Sequence, residues 1–228
     1  MPTIRNPLLL LSSDEIANLL KNHRQDKATE LYDKVLRFPQ EYILFDDDFL
    51  GLVYKTIETF DMKRGSVKLV EQSSFKGTLR KYAHTIQSLA AYRIETINDA
   101  DGKLMDTISF LFDNLELVQG DAPLVTFSKT MHFLLPDLFM PIDRKYTIQY
   151  FYREPPYKRE NYDLPHVMGT REKQKERLFE VFEQFRLIFH KHGAVLSVNS
   201  ISQWNRNIPK VIDNVVMTFV KENMEPAS

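Results

Sequence analysis

The chain has 228 residues, of which 43% are hydrophobic, so it is long enough for one large or two small domains with a sizeable core. Its formal net charge of −1 excludes a protein that binds nucleic acid over its whole surface, because such proteins are strongly basic, and leaves only local binding. It has no cysteine, which excludes disulfides, cysteine-ligated zinc, iron–sulfur clusters and thiol nucleophiles and fits a reducing compartment.

The hydrophobic pattern predicts neither export nor a membrane span. The uninterrupted aliphatic run near the start, residues 8–11, is too short for the apolar part of a signal peptide or for a transmembrane helix. We therefore expect a cytoplasmic protein with no membrane partner. The sequence has only seven glycines, which is typical of helices joined by short connections rather than of a loop-rich β-sandwich.

Helical spacing of apolar residues dominates the first half of the chain. Ser12 and Glu15 have the spacing of a capping box at the start of the first helix. The acidic run 46–48 is predicted to open another helix. After Gly77, apolar residues recur at intervals of three and four as far as Ile97, which predicts one continuous helix.

The second half is also expected to be helical, with one interruption. Gly120 and Pro123 mark a tight reversal, with Pro123 as the first residue of a helix that runs to 135. Between 153 and 169, three prolines forbid a regular helix, and this irregular loop is the one candidate domain seam or lid. We predict an all-α fold in which 1–228 form a single compact multi-helix domain.

Two further helices are predicted after this loop. The first is long and is expected to end at Gly193, a natural helix stop. The last helix follows Pro209, and one of the asparagines in the segment 204–207 is expected to cap it. The strand candidates, 67–70 and 194–198, give weak signals.

A polar cluster on an apolar helix is the main candidate site. Ser128, Lys129 and His132 are three or four residues apart, so their side chains can lie near one another on a helix. Asp143 follows a rigid Pro-Ile step, and beside Lys129 or His132 its carboxylate can stabilise positive charge or activate water. In the simpler interpretation, Asp143 caps a helix, His132 is a core histidine with one hydrogen bond, and Lys129 is solvated.

The order of elements here resembles the core of the helix-hairpin-helix DNA glycosylases. It consists of a helix, a tight turn at Gly120, a second helix, a short connection and then Pro-Ile-Asp143 at the start of another helix, over residues 104–152. The resemblance implies that the turn presents backbone amides to a phosphate and that Asp143 is the carboxylate for base excision or damaged-DNA binding. The turn has one glycine where the family has two. Leu124 lies near the position of the lysine found in bifunctional members, so lyase chemistry is not carried over.

A second resemblance concerns two separate segments. The pattern Ser-Lys-x-x-His-Phe-Leu-x-Pro-Asp at 128–137, with Trp204-Asn205 and the segment 208–214, is similar to uncharacterised bacterial all-helical proteins. This resemblance implies a bacterial source and brings no activity with it.

Aromatic and basic residues alternate in the segment 144–162. Its five basic and two acidic residues give a local charge of +3, and aromatic faces with cations suit a DNA or RNA strand. A protein partner is the alternative, because Tyr and Arg are common at interfaces, and a solvated loop with core-packed tyrosines is a third interpretation. The candidate binding residues are Gly120, Arg144, Lys145, Tyr150, Arg153, Tyr157, Lys158 and Arg159.

No metal or cofactor is expected. His190 and His192 are two apart, so on a helix they point to different sides. The sequence lacks a glycine-rich phosphate loop and a His-Glu-x-x-His motif. An enzyme that acts on a small molecule through Lys129, His132 and Asp143 remains a further hypothesis, for which a closed apolar pocket around His132 is the expected sign.

Overall fold

The computed structural model describes residues 4–23, 29–36, 38, 44, 46–61, 68–97, 101–158, 169–199 and 207–225. It is mostly helical, which confirms the all-α prediction. The described helices are α1 (Ser13–Asn22), α2 (Thr29–Leu36), α3 (Asp47–Asp61), α4 (Gln72–Lys81), α5 (Ala83–Gln87), α6 (Gly102–Asn114), α7 (Leu124–Leu134), α8 (Gln149–Tyr152), α9 (Arg171–Asn199) and α10 (Ile208–Glu222). A 3-10 turn, Pro7–Leu10, precedes α1, and a π-helical turn, Arg144–Ile148, runs directly into α8.

The helices pack around one apolar core. The terminal helix α10 packs against α9, α1, α8 and the π-helical turn, while α7 contacts α3 and α9. Strands β1 (Lys68–Leu69) and β2 (Val118–Gln119) form a short antiparallel ladder before the turn that leads into α7. None of the helices in the described ranges is long and apolar enough to cross a membrane.

Local start signals are confirmed at several helices. The Ser12 hydroxyl accepts the Glu15 N–H at 3.3 Å while the Glu15 carboxylate accepts the Ser12 N–H at 2.7 Å, which completes the predicted capping box of α1. The Asp46 carboxylate accepts the Phe49 N–H at the start of α3. The Asn207 side chain caps α10, as the asparagine-rich segment predicts.

The continuous helix predicted after Gly77 is wrong. The helix breaks at Tyr82, between α4 and α5, and the chain leaves the helical path after α5. The segment that follows contacts a residue far away in the sequence. The Ile94 N–H donates to the Asp137 carbonyl at 3.0 Å, and Arg93 pairs with the Asp137 carboxylate at 2.8 Å. The apolar spacing is retained because the same residues still face the core, whereas the backbone follows the tertiary contact.

Gly193 does not end a helix. Helix α9 continues through it to Asn199, so the strand candidate 194–198 is also wrong, whereas the candidate 67–70 contains β1. A Cβ at Gly193 would stand 3.2 Å from the Phe189 ring, so glycine here makes room for a packed aromatic side chain. The predicted loop at 153–169 lies largely outside the described residues.

We expect Ser12→Ala to lower the free energy of unfolding by about 1 kcal/mol, because the Glu15 N–H loses its acceptor. Urea denaturation monitored by circular dichroism measures this change. Ser13→Ala is the matched control, since Ser13 is exposed and lies within the helix, where alanine is favourable. Equal stability of the Ser12 variant and the wild type would contradict the capping role.

Candidate functional site

Ser128 determines the position of the chain just before Asp143. Its hydroxyl accepts the Ile142 N–H at 3.1 Å and donates to the Val125 carbonyl, also at 3.1 Å. Ser128 is fully buried on α7, so both hydrogen bonds are shielded from water. This arrangement holds the Pro-Ile step against α7 and fixes the direction in which the chain enters the next helical turn.

Asp143 caps the π-helical turn. Its Oδ1 accepts the Tyr146 N–H at 2.6 Å, and its own N–H donates to the Thr147 hydroxyl at 3.3 Å. The Ile148 N–H reaches back five residues to the Asp143 carbonyl at 3.0 Å. The half-buried carboxylate is therefore held in one orientation, which serves a structural cap and would also serve a positioned reactive group.

Two lysines contact the aromatic ring next to this carboxylate. The Nζ atoms of Lys145 and Lys221 lie 5.3 and 5.5 Å from the centroid of the half-buried Tyr146 ring. The Gln149 amide donates to the backbone carbonyls of Lys145 and Lys158, which ties the chain after α8 to the π-helical turn. Asp143 therefore lies beside a locally basic surface on a chain whose net charge is close to zero.

His132 has different partners from Asp143. Its Nδ1 is 2.6 Å from the Phe139 carbonyl, and its Nε2 is 2.5 Å from the Tyr32 hydroxyl. A carbonyl only accepts, so Nδ1 carries the proton and Tyr32 donates to Nε2. Burial is the main cause that lowers the pKa of His132 to about 3, so the ring is neutral. Lys129, on the same helix, is half-buried.

Sequence reasoning missed a buried polar network around this histidine. Lys210 Nζ is 2.5 Å from the Asp213 carboxylate and 5.4 Å from the centroid of the Tyr32 ring. Asp213 is 2% exposed, and its Oδ1 has no hydrogen-bond partner among the described residues. The segments 128–137 and 208–214 thus meet through Tyr32.

The described tyrosines of the aromatic and basic segment are mostly in the core. Tyr150 and Tyr157 are fully buried, and the Tyr150 hydroxyl accepts the Leu8 N–H and donates to Asn6 Oδ1, both at 2.8 Å. The hydroxyl of the buried Tyr152 bonds to Glu180. These rings are therefore not stacking faces for a bound base in this conformation. The basic residues Arg144, Lys145, Arg153 and Lys158 are half-buried, and Arg159 lies outside the described residues.

The turn at Gly120 is exposed, but one backbone amide at the start of the following helix is already hydrogen-bonded within the protein. Gly120 has φ = +102°, in the left-handed region that favours glycine. The buried Gln174 side chain accepts the Leu124 N–H at 3.2 Å and donates to the Asp121 carbonyl at 2.9 Å. The Leu124 amide is therefore satisfied within the protein, which removes one of the backbone donors that a phosphate would use here.

No family model, curated protein or solved structure matches this chain. Within the described ranges, no group of three or more histidine or carboxylate side chains could hold a metal ion. Whether the group around Asp143 or the group around His132 is a functional site therefore has to be argued from the geometry of each group.

We expect the stability advantage of the wild type over His132→Gln to shrink as the pH falls. The unfolded chain binds a proton near pH 6.5, whereas the folded chain takes it up only near pH 3, so protons favour unfolding between these values. From pH 7 to pH 5 the difference in unfolding free energy should decrease by about 2 kcal/mol, at 1.4 kcal/mol per pH unit.

Urea denaturation of both proteins at the two pH values measures this decrease. His23, whose pKa is lowered mainly by burial, contributes with the same sign, but it is present in both proteins and cancels from the difference. An equal difference at pH 7 and pH 5 would show that His132 is not kept neutral by the fold.

Proposed function

We propose that the protein binds nucleic acid at the basic surface around Tyr146 and that Asp143 is its reactive carboxylate. This function is of the helix-hairpin-helix glycosylase type. The observation that carries the proposal is the fixed carboxylate of Asp143 at a helix start, next to a ring that Lys145 and Lys221 both contact. A phosphate chain would be attracted by these cations while the carboxylate faces the sugar.

Charge distribution supports local rather than general binding. Arg144, Lys145, Lys158 and Lys221 belong to adjacent elements, the π-helical turn, the chain after α8 and the end of α10. Their four positive charges would attract a phosphate chain locally on a molecule with a net charge of −1. Because Tyr150 and Tyr157 are buried, the proposal assigns strand binding to phosphate contacts rather than to stacking on these rings.

The proposed reaction is hydrolysis of an N-glycosidic bond. The bond between C1′ of the sugar and the base nitrogen breaks, the oxygen of water adds to C1′, and the proton released from water goes to the departing base. Positive charge develops on the sugar as the base leaves. A carboxylate held beside it stabilises that charge and orients the attacking water.

The same tyrosine burial affects the alternative, a protein-interaction module that uses the segment 144–162. Tyr150, Tyr152 and Tyr157 would have to leave the core to anchor a partner, with the loss of the hydrogen bonds from Tyr150 and Tyr152. Nothing in the described surface favours this alternative over phosphate binding.

We expect Asp143→Asn to abolish base release, by about 100-fold or more, while it retains strand binding and changes the unfolding free energy by less than about 0.5 kcal/mol. Asparagine caps a helix nearly as well as aspartate but cannot stabilise positive charge. The measurements are alkali-revealed strand cleavage on duplexes with alkylated, oxidised or deaminated bases, and fluorescence anisotropy over a salt series. Asp106→Asn, an exposed carboxylate on α6, is the matched control.

Asp143→Ala separates the two roles of the carboxylate, because it removes the cap as well and should cost about 1 kcal/mol of stability. No binding of wild-type protein to single strands, intact duplexes or abasic-site analogues at moderate salt would refute the proposed function. Binding without base release from any substrate would limit it to nucleic-acid binding.

A further inference from the structure

A polar cleft lies beside Lys221, on the side of α10 that faces the end of α1. It has a volume of about 480 Å³ and lies between the end of α1 and the end of α10. Its lining is polar and consists of Lys21, Asn22, Thr218, Lys221 and Glu222. Neither polar group described above accounts for this cleft.

The base of the cleft continues into a polar stripe along α10. Asp213, Asn214 and Thr218 are only 2–3% exposed, although the rest of the buried face of this helix is apolar. His23, which follows α1, places Nδ1 3.1 Å from the Thr218 hydroxyl. The Thr218 hydroxyl donates to the Asn214 carbonyl at 2.9 Å and Lys210 pairs with Asp213, so hydrogen bonds offset much of the cost of burying this stripe, while Asp213 Oδ1 has no partner among the described residues.

The charges around the cleft favour an anion. The cleft is lined by two cations, Lys21 and Lys221, and by one carboxylate, that of Glu222. This carboxylate already accepts a hydrogen bond from the Asn22 amide at 3.1 Å. Burial is the main cause that lowers the pKa of His23, and the positive charges of Lys210 and Lys221 lower it further. Asp213 and a hydrogen bond to the Asn214 backbone act in the opposite direction, so the pKa is lowered chiefly by burial.

Lys221 connects this cleft to the proposed nucleic-acid surface. The same side chain lines the cleft and lies 5.5 Å from the centroid of the Tyr146 ring. Tyr146 in turn gives its N–H to Asp143. Lys145, Lys221 and Lys21 therefore form a basic track that starts beside Asp143, passes the end of α10 and reaches the end of α1.

We propose that the cleft between α1 and α10 binds a backbone phosphate of the same DNA strand that contacts the Tyr146 surface, so that the strand follows this lysine track. This inference rests on the proposed function and specifies the path that the bound strand follows. It assigns phosphate binding to Lys21, which lies far from Asp143 in the sequence and outside the segment 144–162.

The test compares three single variants, Lys145→Gln, Lys221→Gln and Lys21→Gln, with Lys103→Gln on α6 as the matched control. Fluorescence anisotropy with a labelled DNA strand of about 12 nucleotides, long enough to span the track, gives the affinity over a salt series. Each of the three lysine variants should reduce the slope of log affinity against log salt by about 0.7, while Lys103→Gln leaves it unchanged. Melting temperatures check that all variants fold.

The outcomes separate this inference from the proposed function. If Lys145→Gln reduces the salt slope and Lys21→Gln does not, the strand does not enter the cleft and the inference fails while the proposed function stands. If the wild type binds no strand, both fail. An arm with inorganic phosphate distinguishes a site for a free anion: phosphate that raises the melting temperature of the wild type but not of Lys21→Gln, with an unchanged strand slope, would also overturn the inference.

Discussion

Two buried side chains of α7 bind the main chain of the connection that follows it. One turn apart on this helix, Ser128 holds Ile142 and His132 holds Phe139. Both hydrogen bonds are shielded from water. A buried amide or carbonyl left without a partner would cost more than about 1 kcal/mol of stability, so the connection has one stable path. The position of Asp143, the direction of the π-helical turn and the packing of α8 under α10 all depend on that path.

Helix α10 joins the two polar groups of the molecule. At its start, Lys210 and Asp213 form a nearly buried ion pair beside Tyr32 and His132, and at its end Lys221 lies over Tyr146. Apolar residues would pack this helix at least as stably as a buried ion pair, which recovers its desolvation cost only with good geometry. Asp213, Asn214 and Thr218 therefore distinguish one side of α10 from the apolar remainder of its buried face.

The distribution of charge and of aromatic rings leads to different conclusions about the segment 144–162. Its lysines are half-buried, and Lys145 contacts the same Tyr146 ring as Lys221 of α10, whereas three of its tyrosines serve the core through hydrogen bonds and ring packing. Attraction of phosphates needs only exposed cations, but stacking needs an exposed ring face. In the folded protein the lysines can still attract phosphates, whereas most of the tyrosine rings are buried and cannot stack on a base.

Local chemistry accounts for what could be predicted from the sequence. The helical class, the cap at Ser12, the Asn207 cap of α10 and a helix start at Asp143 follow from spacing and from side chains that bond to amides within three residues. Such interactions form within one turn and need no distant partner.

Only the tertiary structure decided the rest, because the deciding partners are far apart in the chain. After α5 the chain leaves the helical path and Arg93 and Ile94 contact Asp137, and within α9 the missing side chain of Gly193 leaves room for the Phe189 ring. Helical spacing placed Ser128 and His132 on one helix but could not show that each binds a different part of the connection. Nor could it show that residues 128–137 and 208–214 meet at Tyr32, since periodicity indicates which face of a helix is buried and not which face it is buried against.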